Sequence, residues 1–221
     1  MSRIAVIGGH GKVALLLAPI LVARGDEVTS LVRHVDQVAD VNATGARGVV
    51  ADVEQLSASE LSDVLRGHDA VVWSAGAGGG DPRRTFAVDR DAAIRSMEAA
   101  RGAGIQRYVM VSYLGAGPDH GIPSDSSFYP YAQAKAAADD YLRGTDLEWT
   151  IVAPGSLTLE PGTGAIDAGS PDDGDAPDGG SVPRDDVAQV VAEVLHRPDT
   201  IGRFIAFVSG DDAITDAITP A

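Results

Sequence analysis

Cysteine is missing from the 221 residues of this chain, which excludes disulfides, thiolate–zinc sites and catalysis by a thiol. A cysteine-free chain suits a reducing compartment, and a cytoplasmic location is expected. No leading segment has a secretory pattern, because Met1-Ser2-Arg3 runs straight into a strand. Long apolar runs are missing too. The longest, Val13 to Ala23, is interrupted by Pro19 and falls short of the ~20 apolar residues that a membrane-spanning helix needs. Positive charge is scarce: the formal net charge is −15, which argues against a nucleic-acid partner, since a phosphate backbone calls for a basic face. The acid is unevenly spread, for between Glu160 and Asp186 eight residues are acidic and only Arg184 is basic. Lysine is rarer still. Of the 17 Lys and Arg residues, only Lys12 and Lys135 are lysine.

What is present begins with a short apolar strand, Ile4 to Ile7, followed by the turn Gly8-Gly9-His10-Gly11 and an apolar helix from Lys12. Such a turn lets a backbone approach a pyrophosphate closely, and the helix behind it aims free N–H groups at the anion. Gly9-x-Gly11-x-x-Ala14 fits the dinucleotide fingerprint, and its placement between strand and helix strengthens the match. Gly8, Gly9, His10, Gly11, Lys12 and Val13 are therefore candidate cofactor-binding residues.

Further strands are expected at Glu27–Val32, Gly48–Asp52, Ala70–Trp73, Tyr108–Ser112, Trp149–Val152 and Phe204–Val208. Helices are expected around Leu56–Leu65, over Thr85–Ala103, over Pro130–Arg143 and over Asp185–Leu195, with a bend at Pro19 in the first helix. Strands apolar on both faces and separated by helices make a parallel sheet with helices on either side. The fold class is α/β: a single Rossmann-like, doubly wound sheet of about seven strands with a small C-terminal extension, as a monomer or homodimer. Residues 160 to 181, rich in Gly, Asp and Pro, are expected to form a mobile excursion.

Arg33 ends the second strand some twenty residues past the glycine turn, where Asp or Glu would hold a free ribose 2′-hydroxyl and Arg matches a 2′-phosphate. The expectation is NADP(H) in preference to NAD(H). Asp52 can accept from an adenine amino group or cap the next turn. Ser74, Ala75 and Gly76 are small residues that let the backbone pass close to a dinucleotide. Tyr131 and Lys135 share one helix face. A lysine beside a phenol favours the phenolate, which suits proton exchange with a substrate, although the same spacing also serves a phenol lying over a lysine stem. Ser112 is the natural third member, donating to a substrate oxygen or capping its strand end.

Together these motifs, with Thr150-Ile151-Val152-Ala153-Pro154-Gly155 and Arg184-Asp185-Asp186-Val187-Ala188, resemble the atypical short-chain dehydrogenase/reductase branch that holds NmrA-like and biliverdin-IXβ-reductase-like proteins. The resemblance spans almost the whole chain. It implies a Rossmann fold, the glycine turn on the pyrophosphate, Arg33 on a 2′-phosphate, Lys135 on the nicotinamide ribose, and Pro154 and Gly155 close to the nicotinamide. Ala153 departs from the branch, which often has Arg there. The expected function is an NADP(H)-dependent oxidoreductase acting on a small carbonyl, quinone or flavin-like substrate, with Tyr131, Lys135 and Ser112 as its catalytic set and no metal. The alternatives are a non-catalytic NAD(P) sensor and a sugar epimerase-like enzyme with bound cofactor.

Overall fold

The apolar runs of the sequence become strands of one sheet, described over residues 1–219 by a computed structural model. In chain order the elements are β1 (Arg3–Ile7), α1 (Lys12–Ala23), β2 (Glu27–Val32), a 3-10 turn (Val35–Gln37), α2 (Val38–Ala43), β3 (Arg47–Val50), α3 (Ala58–Leu65) and β4 (Ala70–Trp73). There follow α4 (Pro82–Thr85), a π-helical segment (Phe86–Ala92), α5 (Ala93–Gly102), β5 (Arg107–Val111), α6 (Tyr129–Arg143), β6 (Glu148–Pro154), β7 (Ser156–Thr158), β8 (Ala165–Gly169) and β9 (Ser181–Pro183). The chain continues through α7 (Arg184–Leu195), a second 3-10 turn (Pro198–Thr200), β10 (Arg203–Ser209), β11 (Asp212–Ala213) and α8 (Ile214–Ala217).

The main sheet runs β11-β8-β10-β6-β5-β4-β1-β2-β3. It holds nine strands, two more than the sequence suggests, and is parallel from β3 to β10, with β8 antiparallel to both β10 and β11. The order reverses between β1 and β4, and such a switch point opens a crevice at the carboxyl ends of the strands.

Alternation along each strand feeds two cores. Ile4, Val6, Val72, Val109 and Val152 face α1 and α7, while Ala5, Ile7, Trp73, Met110 and Ile151 face α3, α5 and α6. Burying both faces of a parallel sheet in this way is what its β-branched, unbroken strands are suited to. Helix α1 runs on through Pro19, which lies on its exposed side, where water can meet the carbonyl that a proline leaves unbonded.

Two stretches differ from the sequence expectation. The helix expected over Thr85–Ala103 starts earlier, capped by Asp81, whose side chain accepts from Arg83 N at 2.9 Å, and it opens into π geometry over Phe86–Ala92. The wider turn directs Val88, Asp89 and Ala92 inward together. The 160–181 stretch also contains a strand that its composition does not suggest. Within it, β8 pairs with β10 and buries Ile166 completely. The fully buried Asp186 accepts from the backbone N–H groups of Thr163 at 3.0 Å and Gly164 at 2.8 Å. One apolar residue and one buried carboxylate fix this segment, a signal too sparse for periodicity to reveal. Among the described residues no helix is long and apolar enough to cross a membrane.

Candidate functional site

Beyond the carboxyl ends of β1 to β4 lies a cleft of about 370 Å³, lined by Gly8, His10, Gly11, Arg33, Asp52 and Ser74 among others. The glycine turn is built by contact. Gly8 has φ +84°, and a Cβ there would lie 2.6 Å from the Ala75 backbone, so the turn is wedged against the end of β4. A Cβ on Gly9 would strike Ser30 of β2. Gly11 has an ordinary φ of −66° and caps α1 without a side-chain hydrogen bond. A Cβ on Gly11 would lie 3.1 Å from Gly8 O and 3.6 Å from Ser74 O, both residues of the cleft wall. The first turn of α1 contains no acid, which leaves its N–H groups to an anion. This cradle fits a pyrophosphate. Lys12 is exposed at the start of α1, Val13 is buried beneath it, and His10 Nε2 pairs with Asp40 at 2.9 Å.

At the far end of the cleft Arg33 Nη1 and Arg84 Nη2 each donate to Glu54 Oε1 at 3.0 Å. Two cations on one carboxylate leave one positive charge in excess, an arrangement that suits a phosphate. Asp52 accepts from Glu54 N at 3.1 Å and thus caps a turn while still lining the cleft. Ser74 N donates to Ile7 O at 2.9 Å, Ala75 packs on Gly8, and a Cβ on Gly76 would come within 3.0 Å of Asp89 Oδ1.

Beyond the ends of β5, β6 and β10 a second cavity, about 1110 Å³, is lined by Ser112, Tyr113, Tyr131, Pro154, Gly155 and Phe204 among others. Helix α6 presents Tyr131, Lys135 and Asp139 at successive four-residue steps, hence on one face. Asp139 is buried and accepts from the Ser112 hydroxyl. Lys135 is 1% exposed and donates from Nζ to Val111 O at 2.8 Å, with Met110 Sδ at 3.3 Å. Asp89, buried in the π segment, accepts from Ala77 N at 3.0 Å. A buried ammonium thus sits in the field of two buried carboxylates. Burial lowers the Lys135 pKa while Asp139 and Asp89 oppose the shift, and burial raises both carboxylates against the pull of Lys135.

These positions bring together Ser112, Lys135 and Asp139 but not the expected Tyr–Lys hydrogen bond. Lys135 turns to the β5 carbonyl and lines neither opening, so the structure does not set it toward a ribose. The phenol of Tyr131 is raised, not lowered: burial is the main cause, and Asp89 and Asp139 add to it. The i,i+4 spacing fixed a shared face, but a buried ammonium needs acceptors, and those it meets are the Val111 carbonyl and the Met110 sulfur. Sequence reasoning missed Glu54, Arg84, Asp89, Asp139 and Tyr113. Of these, Asp139 was readable as the third step after Tyr131 and Lys135. Asp89 was not, because the π turn that directs it inward breaks the helical period.

Comparison with known proteins bears on this geometry. The NAD(P)H-binding family matches residues 8–198. YhfK of Bacillus subtilis, described as an uncharacterized sugar epimerase, is 34% identical over 219 residues, covering 98% of this chain and 98% of its own. A candidate NAD-dependent epimerase/dehydratase from Bacillus halodurans superposes with a TM-score of 0.89 at 33% identity, covering 99% of each chain. The oxidoreductase ylbE from Lactococcus lactis superposes with a TM-score of 0.84 at 29% identity, covering 98% of this chain and 94% of its own.

Proposed function

The chain belongs to the NAD(P)H-binding family, and on that premise we propose that it is an NADP(H)-dependent reductase of a small carbonyl, quinone or flavin-like acceptor. The observation that carries this reading is the placement of two openings over neighbouring strands of one sheet: a glycine cradle with two arginines over β1 to β4, and a cavity lined by Ser112 and Tyr131 over β5 and β6. Gly8 to Gly11 and the first turn of α1 would hold the pyrophosphate, with Ser74 to Gly76 beside it. Arg33 and Arg84 would exchange Glu54 for a 2′-phosphate, Asp52 would meet the adenine, and Pro154 and Gly155 would flank the nicotinamide. When bound, the reduced dinucleotide supplies a hydride, two electrons with one proton. The chain must then deliver one further proton to the acceptor oxygen.

Tyr131 is the donor in this scheme. Its raised pKa keeps the hydroxyl protonated at neutral pH, and the alkoxide formed from a simple carbonyl is a stronger base than a phenolate, so for that acceptor transfer to the reduced oxygen runs downhill. Solvent in the cavity then restores the phenol. The hydroquinone anion left by a quinone, itself a phenolate, can take its proton from solvent in the open cavity. Ser112 orients the acceptor. While its hydrogen is given to Asp139 it can only accept; when Asp139 carries a proton, the hydroxyl is free to donate into the cavity. Lys135 is a positioning residue, tying α6 to β5 at Val111 so that Tyr131 and Ser112 line one wall.

The name of ylbE, an oxidoreductase, supports the reductase reading, whereas those of the two Bacillus proteins favour an epimerase using the same cradle. A screen of NADPH and NADH oxidation against quinones, flavins and aldehydes tests it. Steady oxidation with at least one acceptor is expected. Tight NADPH binding with no turnover by any acceptor would overturn the reading in favour of a sensor or an epimerase.

A further inference from the structure

The two openings differ in charge. The cleft balances Arg33 and Arg84 against Asp52 and Glu54, whereas no Lys or Arg is found among the described residues lining the cavity, whose charged members are Asp119 and Asp178, both exposed. The guanidiniums nearby are already engaged. Arg143 lies over the Phe204 ring at 5.2 Å but is paired with Asp172 at 3.0 Å, and Arg184 donates to Leu157 O and Thr158 O at 3.1 and 2.7 Å. His120 accepts the Ile122 N–H at Nδ1, 3.0 Å, and its Nε2 lies 2.8 Å from Gln133 Nε2, so both ring nitrogens are engaged. An anionic substrate would lose its hydration here and meet only carboxylates.

The wall is aromatic. Tyr131 lies 5.4 Å from Tyr113 and 5.2 Å from Phe128, centroid to centroid, and Tyr113 meets Phe128 edge-on at 5.4 Å. Phe128 and Leu157 leave apolar surface open at the cavity, 42% and 37% exposed. Three rings and an aliphatic side chain around a space of about 1110 Å³ match a flat ring system with few polar groups.

Building on the reductase reading, we propose that this cavity binds an uncharged planar aromatic carbonyl compound of two or three fused rings. Compounds bearing phosphate, carboxylate or sulfonate, nucleoside-diphosphate sugars among them, are excluded by charge. The test is isothermal titration of the protein, with and without saturating NADP⁺, by menadione, by its anionic sulfonate-bearing naphthoquinone counterpart, and by UDP-glucose. Menadione should bind roughly three- to tenfold tighter than the sulfonate, since the exposed Asp119 and Asp178 repel a full charge through a solvent that partly screens them. UDP-glucose should not bind at the cavity. Asp178→Lys, an exposed change at the cavity's edge, should improve sulfonate binding relative to menadione. Phe128→Ala should weaken menadione by roughly three- to tenfold through loss of one ring contact. Equal or tighter binding of the sulfonate, or UDP-glucose binding that Asp178→Lys strengthens, would overturn the assignment. The two readings fail separately: selective menadione binding without turnover refutes the reductase alone, and turnover of anionic acceptors as fast as uncharged ones refutes only the charge selection.

Discussion

Replacing Asp139 by Ala should be among the most costly single changes in the molecule. Its carboxylate is 3% exposed, accepts from Ser112 and faces the Lys135 ammonium, itself 1% exposed. Without it, Lys135 keeps only Asp89 as a nearby counter-charge, and the Ser112 hydroxyl loses its acceptor. Breaking a buried pair in contact costs ~3–5 kcal/mol. Lys135 Nζ bonds to Val111 O and feels Asp139 only through its field, so the loss here is about 2–3 kcal/mol, still a large share of the ~5–15 kcal/mol that holds a typical domain together. For a chain of this length each kcal/mol moves the melting temperature by about 2–4 °C, so a drop of roughly 4–12 °C is expected. Asp139→Asn, which keeps the volume and an acceptor for Ser112, should lose less. Lys135→Met combined with Asp139→Leu should recover most of the loss, because the uncompensated charge goes with its partner. Urea unfolding at neutral pH, followed by circular dichroism, measures all three. An Asp139→Ala loss below about 1 kcal/mol, small beside the buried-pair cost, would refute the buried charge cluster, as would a double variant no more stable than Asp139→Ala.

Other consequences are as direct. If Arg33 holds a 2′-phosphate, Arg33→Ala should erase most of a preference for NADPH over NADH worth about 1.5–3 kcal/mol, roughly ten- to a hundredfold; fluorescence titration with both dinucleotides decides it. Gly11→Val should remain folded, because its φ is ordinary, yet lose dinucleotide binding, while Gly8→Val should lose stability as well, since its φ is positive and Ala75 leaves no room. Burial pushes the Tyr113 phenol up to about 12 from 10.0. The raised folded value means that this stabilisation is whole below pH 10 and is lost as pH rises through the window from about 10 to about 12. Denaturant melts across that range should show stability falling, and Tyr113→Phe should flatten the fall.

Much of this was legible in the residues because it rests on local rules. The glycine turn after Ile7, the strands apolar on both faces and the helices from Lys12, Tyr129 and Arg184 all follow from periodicity and turn chemistry, and the sheet assembled as those rules require. Two strands of the main sheet escaped notice because β8 carries a single fully buried aliphatic side chain, Ile166, and β11 has only two residues, and the short pair β7 and β9 escaped because each has only three. At the candidate site the face shared by Tyr131 and Lys135 was readable, but the direction of the Lys135 ammonium was not. That direction depends on a carbonyl of β5 and on carboxylates from two separate helical segments, none of them adjacent in sequence. The Arg33–Glu54–Arg84 group was hidden for the same reason. It joins the end of β2, the turn after β3 and α4, which only the folded sheet brings together.

The central claim is that a proton passes from Tyr131 to an acceptor reduced by the bound dinucleotide. Its most direct test compares the parent protein with Tyr131→Phe, a change that keeps the ring against Tyr113 and Phe128 and removes only the hydroxyl. NADPH affinity is measured by fluorescence, and turnover by NADPH oxidation with the best acceptor from the screen. The account predicts unchanged affinity and turnover lower by roughly a hundredfold or more, the usual scale for a general acid. Turnover equal to the parent's in folded Tyr131→Phe would contradict it.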